Sequence, residues 1–192
     1  MKYLCWENAL KYSHRLFVPL IFFGCVVAQA PLVEAQTCEA STVASKPTSQ
    51  YSITNGTVVD LRTGLMWDQC PWGQSGATCA VVAGQVAFFW PLALGVAATA
   101  NASNHKGYSD WRLPNVKELR SIVEVCRRAP SINDVVFPNT PGSDFLSGYF
   151  WSSSPSASNT DGAWIVNYYY GAAWDFETRG SQFHVRLVRT AR

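Results

Sequence analysis

Beyond residue 50, apolar residues come in short runs punctuated by glycine, asparagine and proline, the rhythm of strands and turns and not of long helices. Residues 51–60 favour strand on both sides of Asn55-Gly56, a signal for a two-residue hairpin. Thr63-Gly64 then turns the chain into a further strand through Leu65-Met66-Trp67. Three later runs, residues 150–153, 163–170 and 183–189, are rich in aromatic and branched side chains and are bounded by turn residues, so each predicts a strand.

Helical spacing appears twice. Asn115 is placed to cap a helix and Glu118 to answer it as in a capping box, with Val116, Leu119, Val123 and Cys126 then falling on one face. The other helix is embedded in residues 80–100, AVVAGQVAFFWPLALGVAATA, an uncharged run as long as the roughly 20 residues of a membrane span. Gln85, Pro91 and two glycines interrupt it. The pattern predicts a short buried strand at 86–90, a helix over 91–102 started by the proline, and no stable membrane span. Residues 130–148 read as long loops. Strands on both sides of two helices, without strand-helix alternation, predict an α+β fold with a mostly antiparallel sheet.

The N-terminus changes the count of what folds. Lys11, His14 and Arg15 precede an apolar stretch at 16–28, and small residues follow at 28–30 and 33–35, which predicts a signal peptide over 1–35 and a secreted or periplasmic protein. Cys25 offers a lipoprotein alternative, opposed by the bulky Phe22-Phe23 before it. Residues 36–50 read as an exposed tail apart from Cys38, leaving 51–192 as one domain. Removing the leader takes the net charge from +2 to about +1, which indicates neither nucleic acid nor a polybasic membrane surface as partner.

Four of the six cysteines then remain, Cys38, Cys70, Cys79 and Cys126, an even number suited to two disulfides in an exported chain. Three connectivities are open. The short Gly-rich loop at 71–78 favours a local Cys70 to Cys79 bridge, leaving Cys38 to tie the tail to Cys126. No Cys-x-x-Cys pair or nearby histidine gives zinc spacing, and the loop from Asn133-Asp134 to Asp144 lacks an EF-hand pattern, so no metal or cofactor is expected. Beyond the leader the histidines are His105 and His184, in no catalytic motif, and no pair stands out among Asp110, Glu118, Asp134 and Asp161. An enzyme is not expected.

Four strings carry a resemblance: Asp60-Leu61-Arg62-Thr63-Gly64-Leu65-Met66-Trp67, then residues 107–119 (GYSDWRLPNVKEL), Tyr149-Phe150-Trp151-Ser152-Ser153-Ser154, and Val185-Arg186-Leu187-Val188-Arg189. Together and in this order they resemble the Lcl C-terminal domain family over roughly residues 51–190. The family takes its name from a collagen-like adhesin of Legionella, and the resemblance implies a C-type-lectin-like variant fold, binding of sulfated glycosaminoglycans and trimer formation. No Gly-X-Y repeat is present here, so the collagen stalk that enforces trimers is missing and the oligomeric state stays open.

The motifs supply candidate ligand-binding residues: Trp111, Arg112, Trp151, Ser152, Ser153, Arg186 and Arg189. Each has a structural alternative, Trp111 as a core anchor and Arg112 as the partner of Asp110 or Glu118. Trp72, Trp174 and Tyr168 to Tyr170 are further surface candidates in a chain that is 14% aromatic. The expectation is an exported, adhesin-like module that recognises a glycan; the alternative is an envelope accessory protein whose partner is another protein.

Overall fold

The Asn55-Gly56 signal becomes a tight hairpin, with Asn55 and Gly56 both at positive φ (50° and 74°), between β1 (Tyr51–Thr54) and β2 (Thr57–Asp60). The computed structural model describes Cys38, residues 41–82, Gly84 and residues 86–191; the expected leader lies outside them. After β3 (Leu65–Asp68) come the short ladders β4 (Gln74–Ser75) and β5 (Ala80–Val81), then β6 (Phe88–Phe89) running directly into α1 (Trp90–Ala102). A single 3-10 turn (His105–Gly107) follows, then α2 (Val116–Ser121). The chain ends in β7 (Tyr149–Pro155), β8 (Gly162–Asn167), β9 (Ala172–Thr178), β10 (Gln182–Phe183) and β11 (Val188–Thr190).

All strand pairs in the sheets are antiparallel: β1-β2-β3-β11, β7-β8-β9 and the small pairs β4-β5 and β6-β10. The fold is α+β with two helices and long loops, as the pattern predicts. Glu34–Arg192 forms one compact unit. No helix among the described residues is long and apolar enough to cross a membrane.

Two apolar cores share the same strands. One gathers Tyr51, Val58, Trp67, Leu119, Ile122, Phe150, Val166 and Tyr168; the other gathers Met66, Ala93, Val96, Trp111, Trp151, Ile165 and Leu187. Adjacent residues of a strand point to opposite faces, so Met66 and Trp67, Phe150 and Trp151, and Ile165 and Val166 each divide between the two. Strands buried on both faces explain why 163–166 is apolar without alternation.

Both disulfides form as expected, Cys70 with Cys79 and Cys38 with Cys126. Some details differ from the sequence reading, among them the strand predicted over 163–170, which ends at Asn167. The strand predicted over 183–189 is interrupted, because Arg186 turns its side chain fully inward between β10 and β11. Helix α2 stops at Ser121, and Val123 bridges to Ile132 instead of continuing the stripe. Strand β9 forms where the sequence pattern predicts none. The stretch before β1 is also held in part: Glu124, 1% exposed, accepts hydrogen bonds from the Ser45 amide and hydroxyl and from the Lys46 amide, all at 2.7 to 2.8 Å.

Candidate ligand-binding surface

Five of the seven candidates from the motifs sit in the interior, where each makes hydrogen bonds to protein partners. Trp151 is fully buried and donates from Nε1 to the Phe88 carbonyl at 2.7 Å; Ser152, also fully buried, donates to the Trp164 carbonyl at 2.8 Å. Trp111 is 2% exposed, and its Nε1 donates to the His105 carbonyl at 2.8 Å. Arg186 donates to the carbonyls of Asp68 and Gln69 and to the Thr140 hydroxyl, and its guanidinium lies over Phe137 at 4.9 Å. Burial pulls its pKa down to about 10, against the opposing pull of Tyr168 and Asp68. Arg189 is forked on Asp110 at 2.5 and 3.1 Å and covers the Tyr108 ring at 4.0 Å. The reading of Trp111, Trp151, Ser152, Arg186 and Arg189 as ligand contacts is therefore corrected: side chains without exposed surface offer a ligand no face, and these build the framework.

The other two lie nearer solvent. Ser153 is half-buried and its amide donates to the Pro114 carbonyl at 2.8 Å. Arg112 is exposed but forked on Glu118 at 2.6 and 2.7 Å. Burial alone would raise the Glu118 pKa, yet the hydrogen bonds from Arg112 and Asn115 outweigh it and hold the carboxyl below its ordinary range. Arg112 is thus committed to the start of α2.

The exposed aromatic surface lies elsewhere, around the turn that joins β8 to β9. Asn167, buried at the end of β8, organises it: its Oδ1 accepts from the Tyr169 amide at 2.7 Å and the Tyr170 amide at 3.4 Å, while its Nδ2 donates to the Phe145 carbonyl at 3.0 Å. Gly171 closes the turn at φ 72°, and a Cβ there would come within 2.8 Å of Val123 Cγ1. This geometry separates three consecutive tyrosines. Tyr168 points inward, its hydroxyl donating to the Leu119 carbonyl at 2.9 Å, while Tyr169 and Tyr170 face out.

Tyr170 is 47% exposed and Phe145 44% exposed, with ring centroids 5.7 Å apart. Trp174 stands 6.4 Å from Tyr170 and 6.0 Å from Tyr149, so the rings form a continuous ridge. Arg128 lies over it, 4.9 Å from the Tyr170 centroid and 5.1 Å from that of Tyr169. It makes no ion pair among the described residues. Sequence reading identified Trp174 and the tyrosines but missed Phe145 and Arg128, which come from loops without periodicity and meet the turn only in the fold.

A cleft of about 280 Å³ is lined by Asp68, Trp72, Gln74 and His105, with the His105 imidazole 2.6 Å from the Asp68 carboxylate. Among the described residues, the one grouping with metal-ligating side chains is Cys38, Glu124 and Cys126; its two sulfurs are bonded to each other and its carboxylate holds the Ser45-Lys46 segment.

A model of the Lcl C-terminal domain matches residues 56–189. The chain belongs to the Lcl C-terminal domain family. No curated protein matches it. In this Lcl C-terminal domain the matched span holds every residue of the aromatic ridge, Arg128 included, together with both cysteines of the local bridge. Cys38 and the Ser45-Lys46 segment fall outside the span and are fastened to it by Cys126 and Glu124.

Proposed function

We propose that this Lcl C-terminal domain is an exported, adhesin-like module, a C-type-lectin-like variant, that binds a glycan on the ridge of Phe145, Tyr169, Tyr170 and Trp174. Its role is binding and not catalysis. The observation that carries the reading is the outward pair Tyr170 and Phe145 with Arg128 above the tyrosine rings, in no ion pair among the described residues. Rings of this kind pack against the C–H faces of sugars, and a guanidinium beside them forks onto a sulfate or carboxylate substituent. Sulfated glycosaminoglycans, the ligands that family resemblance implies, combine both features. Two disulfides support an oxidising compartment, where such ligands are met.

The test is glycan-array screening of residues 34–192, followed by calorimetry with the best saccharide. Tyr170→Ala removes an exposed ring and leaves both cores intact; it is expected to weaken binding about tenfold, equivalent to about 1.4 kcal/mol. Arg128→Gln is expected to flatten the salt dependence. Absence of saccharide binding by the folded protein at low salt, alongside capture of an envelope protein, would instead favour the protein-partner reading.

A further inference from the structure

The cleft lined by Asp68, Trp72, Gly73, Gln74 and His105 shares no residue with the ridge, and it holds an imidazole in a fixed setting. Asp68 closes β3 with its side chain 4% exposed, and its Oδ2 stands 2.6 Å from His105 Nε2. Two indoles flank the imidazole, with ring centroids 5.3 Å away at Trp72 and 6.0 Å away at Trp111. The Trp111 indole also donates to the His105 carbonyl at 2.8 Å. On either side of His105 the backbone is strained: Asn104 and Lys106 both take positive φ, 51° and 54°. Strain of this kind persists where the surroundings over-determine it, and it gathers at functional sites. Here it directs His105 into the cleft and sends Lys106 the other way, onto Gly56 of the β1-β2 hairpin.

The partner of the imidazole decides what the cleft can recognise. A carboxylate only accepts, so the ring hydrogen is assigned to Nε2, and the neutral imidazole offers a lone pair at Nδ1. Nδ1 makes no hydrogen bond among the described residues. The lone pair suits a ligand that donates. Charge narrows the choice further. Asp68 is the one carboxylate among the described lining residues, and the fully buried Arg186 answers it from the interior, donating from Nη1 to the Asp68 carbonyl at 3.0 Å. No net charge is left to select an ion, so the donor is a hydroxyl and not an ammonium. Half-buried Trp72 supplies an apolar wall, and Gly73 and Gly84 add no side chain to fill the space. The volume of about 280 Å³ lies just below the range of pockets for drug-sized molecules and suits one small ring.

We infer that this cleft is a second binding site, taking one neutral, hydroxyl-bearing ring such as a terminal hexose. A ligand hydroxyl donates to His105 Nδ1, and a C–H face of the ring packs against Trp72. Asp68 is a positioning residue, since it sets which imidazole nitrogen accepts. The ridge, with Arg128 above it, is by contrast the place for acidic substituents. The inference uses neither the ridge nor Arg128 and stands whether or not a sulfated chain binds there.

The experiment is imidazole-nitrogen NMR on residues 34–192 carrying isotope-labelled histidine, titrated separately with the methyl glycosides of glucose, galactose and mannose. The span contains His105 and His184, and His184, held at the Val86 carbonyl at 2.8 Å and no part of the cleft lining, is the internal reference. At least one glycoside is expected to move His105 Nδ1 with a dissociation constant on the order of 1 mM, while His184 stays in place. A glycoside seated on the ridge would leave both histidines unmoved. The fully O-methylated form of the active glycoside keeps the ring and loses every donor; it is expected to bind about tenfold more weakly or worse. In Asp68→Asn the amide oxygen keeps its place at the Cys70 amide, 3.4 Å away, so the amide nitrogen faces Nε2 and the ring hydrogen moves to Nδ1. That variant is expected to show the exchanged tautomer in its nitrogen shifts and to lose about tenfold or more in affinity, with near-ultraviolet dichroism unchanged. Should it fail to fold, the O-methylated comparison on the unmodified protein still decides. No movement of His105 with any of the three glycosides at about tenfold that concentration, or equal movement with the O-methylated form, overturns the inference and leaves the Asp68-His105 pair as a tether for the turn. Undiminished binding by folded Asp68→Asn overturns it too, because an acceptor at Nδ1 would then not be what holds the ligand.

Discussion

Arg186 and Glu124 are charged residues committed to the interior, and they do different work. Arg186 makes no ion pair among the described residues; the carbonyls of Asp68 and Gln69, the Thr140 hydroxyl and the faces of Phe137 and Phe150 receive it. These partners tie β3, the long loop and the segment before β11 together across 46 to 118 residues of sequence. Arg186→Ala strands several buried acceptors, each worth roughly 1 to 3 kcal/mol, so an overall loss of about 3 kcal/mol or more is expected in urea denaturation. Arg186→Lys is expected to rescue little, because an ammonium lacks the planar fork. Glu124 acts on the N-terminal strap. Burial would raise its pKa, but hydrogen bonds from Ser45, Lys46 and Cys126 prevail and hold it below the ordinary glutamate range. Its contribution is therefore full above the unfolded pKa and is lost as pH falls through the lower, folded one. Amide exchange at Ser45 and Lys46 is expected to stay slow from neutral pH down to the glutamate range and to accelerate in stronger acid. Glu124→Gln should make it fast already at neutral pH, and slow exchange in that variant would refute the assignment.

At the scale of elements, the six-residue α2 is too short to persist on propensity, and its capping is correspondingly heavy. Asn115 Oδ1 accepts from the Glu118 amide and Glu118 Oε2 accepts from the Asn115 amide, both at 2.9 Å, with Arg112 forked on the same carboxylate. Asn115→Ala is expected to lower stability by about 1 kcal/mol in thermal or chemical denaturation. This cap was legible in the sequence, as were the Asn55-Gly56 hairpin, the Pro91 start of α1 and the short Cys70 loop, because each is a local device complete within a few residues. What escaped reading depends on distant partners. Strand β9 contains two alanines, an aspartate and a glutamate, and becomes a strand by pairing with β8. Arg186 looks like a surface cation until Thr140 and Asp68 are brought to it. Residues 163–170 read as one strand, although Asn167 and Gly171, both favoured turn residues, bracket the three tyrosines and mark the turn that turns Tyr168 in and Tyr170 out.

The two cores cannot melt separately, because β3, β7 and β8 contribute alternate residues to both. A single cooperative transition follows, and the disulfides act on it through the unfolded chain. Cys38 and Cys126 are 88 residues apart and Cys70 and Cys79 are 9 apart. Loop-closure entropy then assigns about 4.5 kcal/mol to the long bridge and about 2.5 kcal/mol to the short one. Replacing Cys38 and Cys126 by alanine is expected to lower the denaturation midpoint more than replacing Cys70 and Cys79. The local consequences run differently. Losing the long bridge removes the covalent hold behind the Ser45-Lys46 strap, whereas losing the short one loosens the loop whose Cys79 carbonyl accepts from Asn139 at 2.9 Å. If the entropic account holds, reduction of the unmodified protein must bring its midpoint below that of either pairwise variant, and reduction of each variant must bring it close to that same value. A short-bridge variant that suffers the larger loss would show that native contacts around Trp72 and Asn139, and not the unfolded chain, set the stability of this domain.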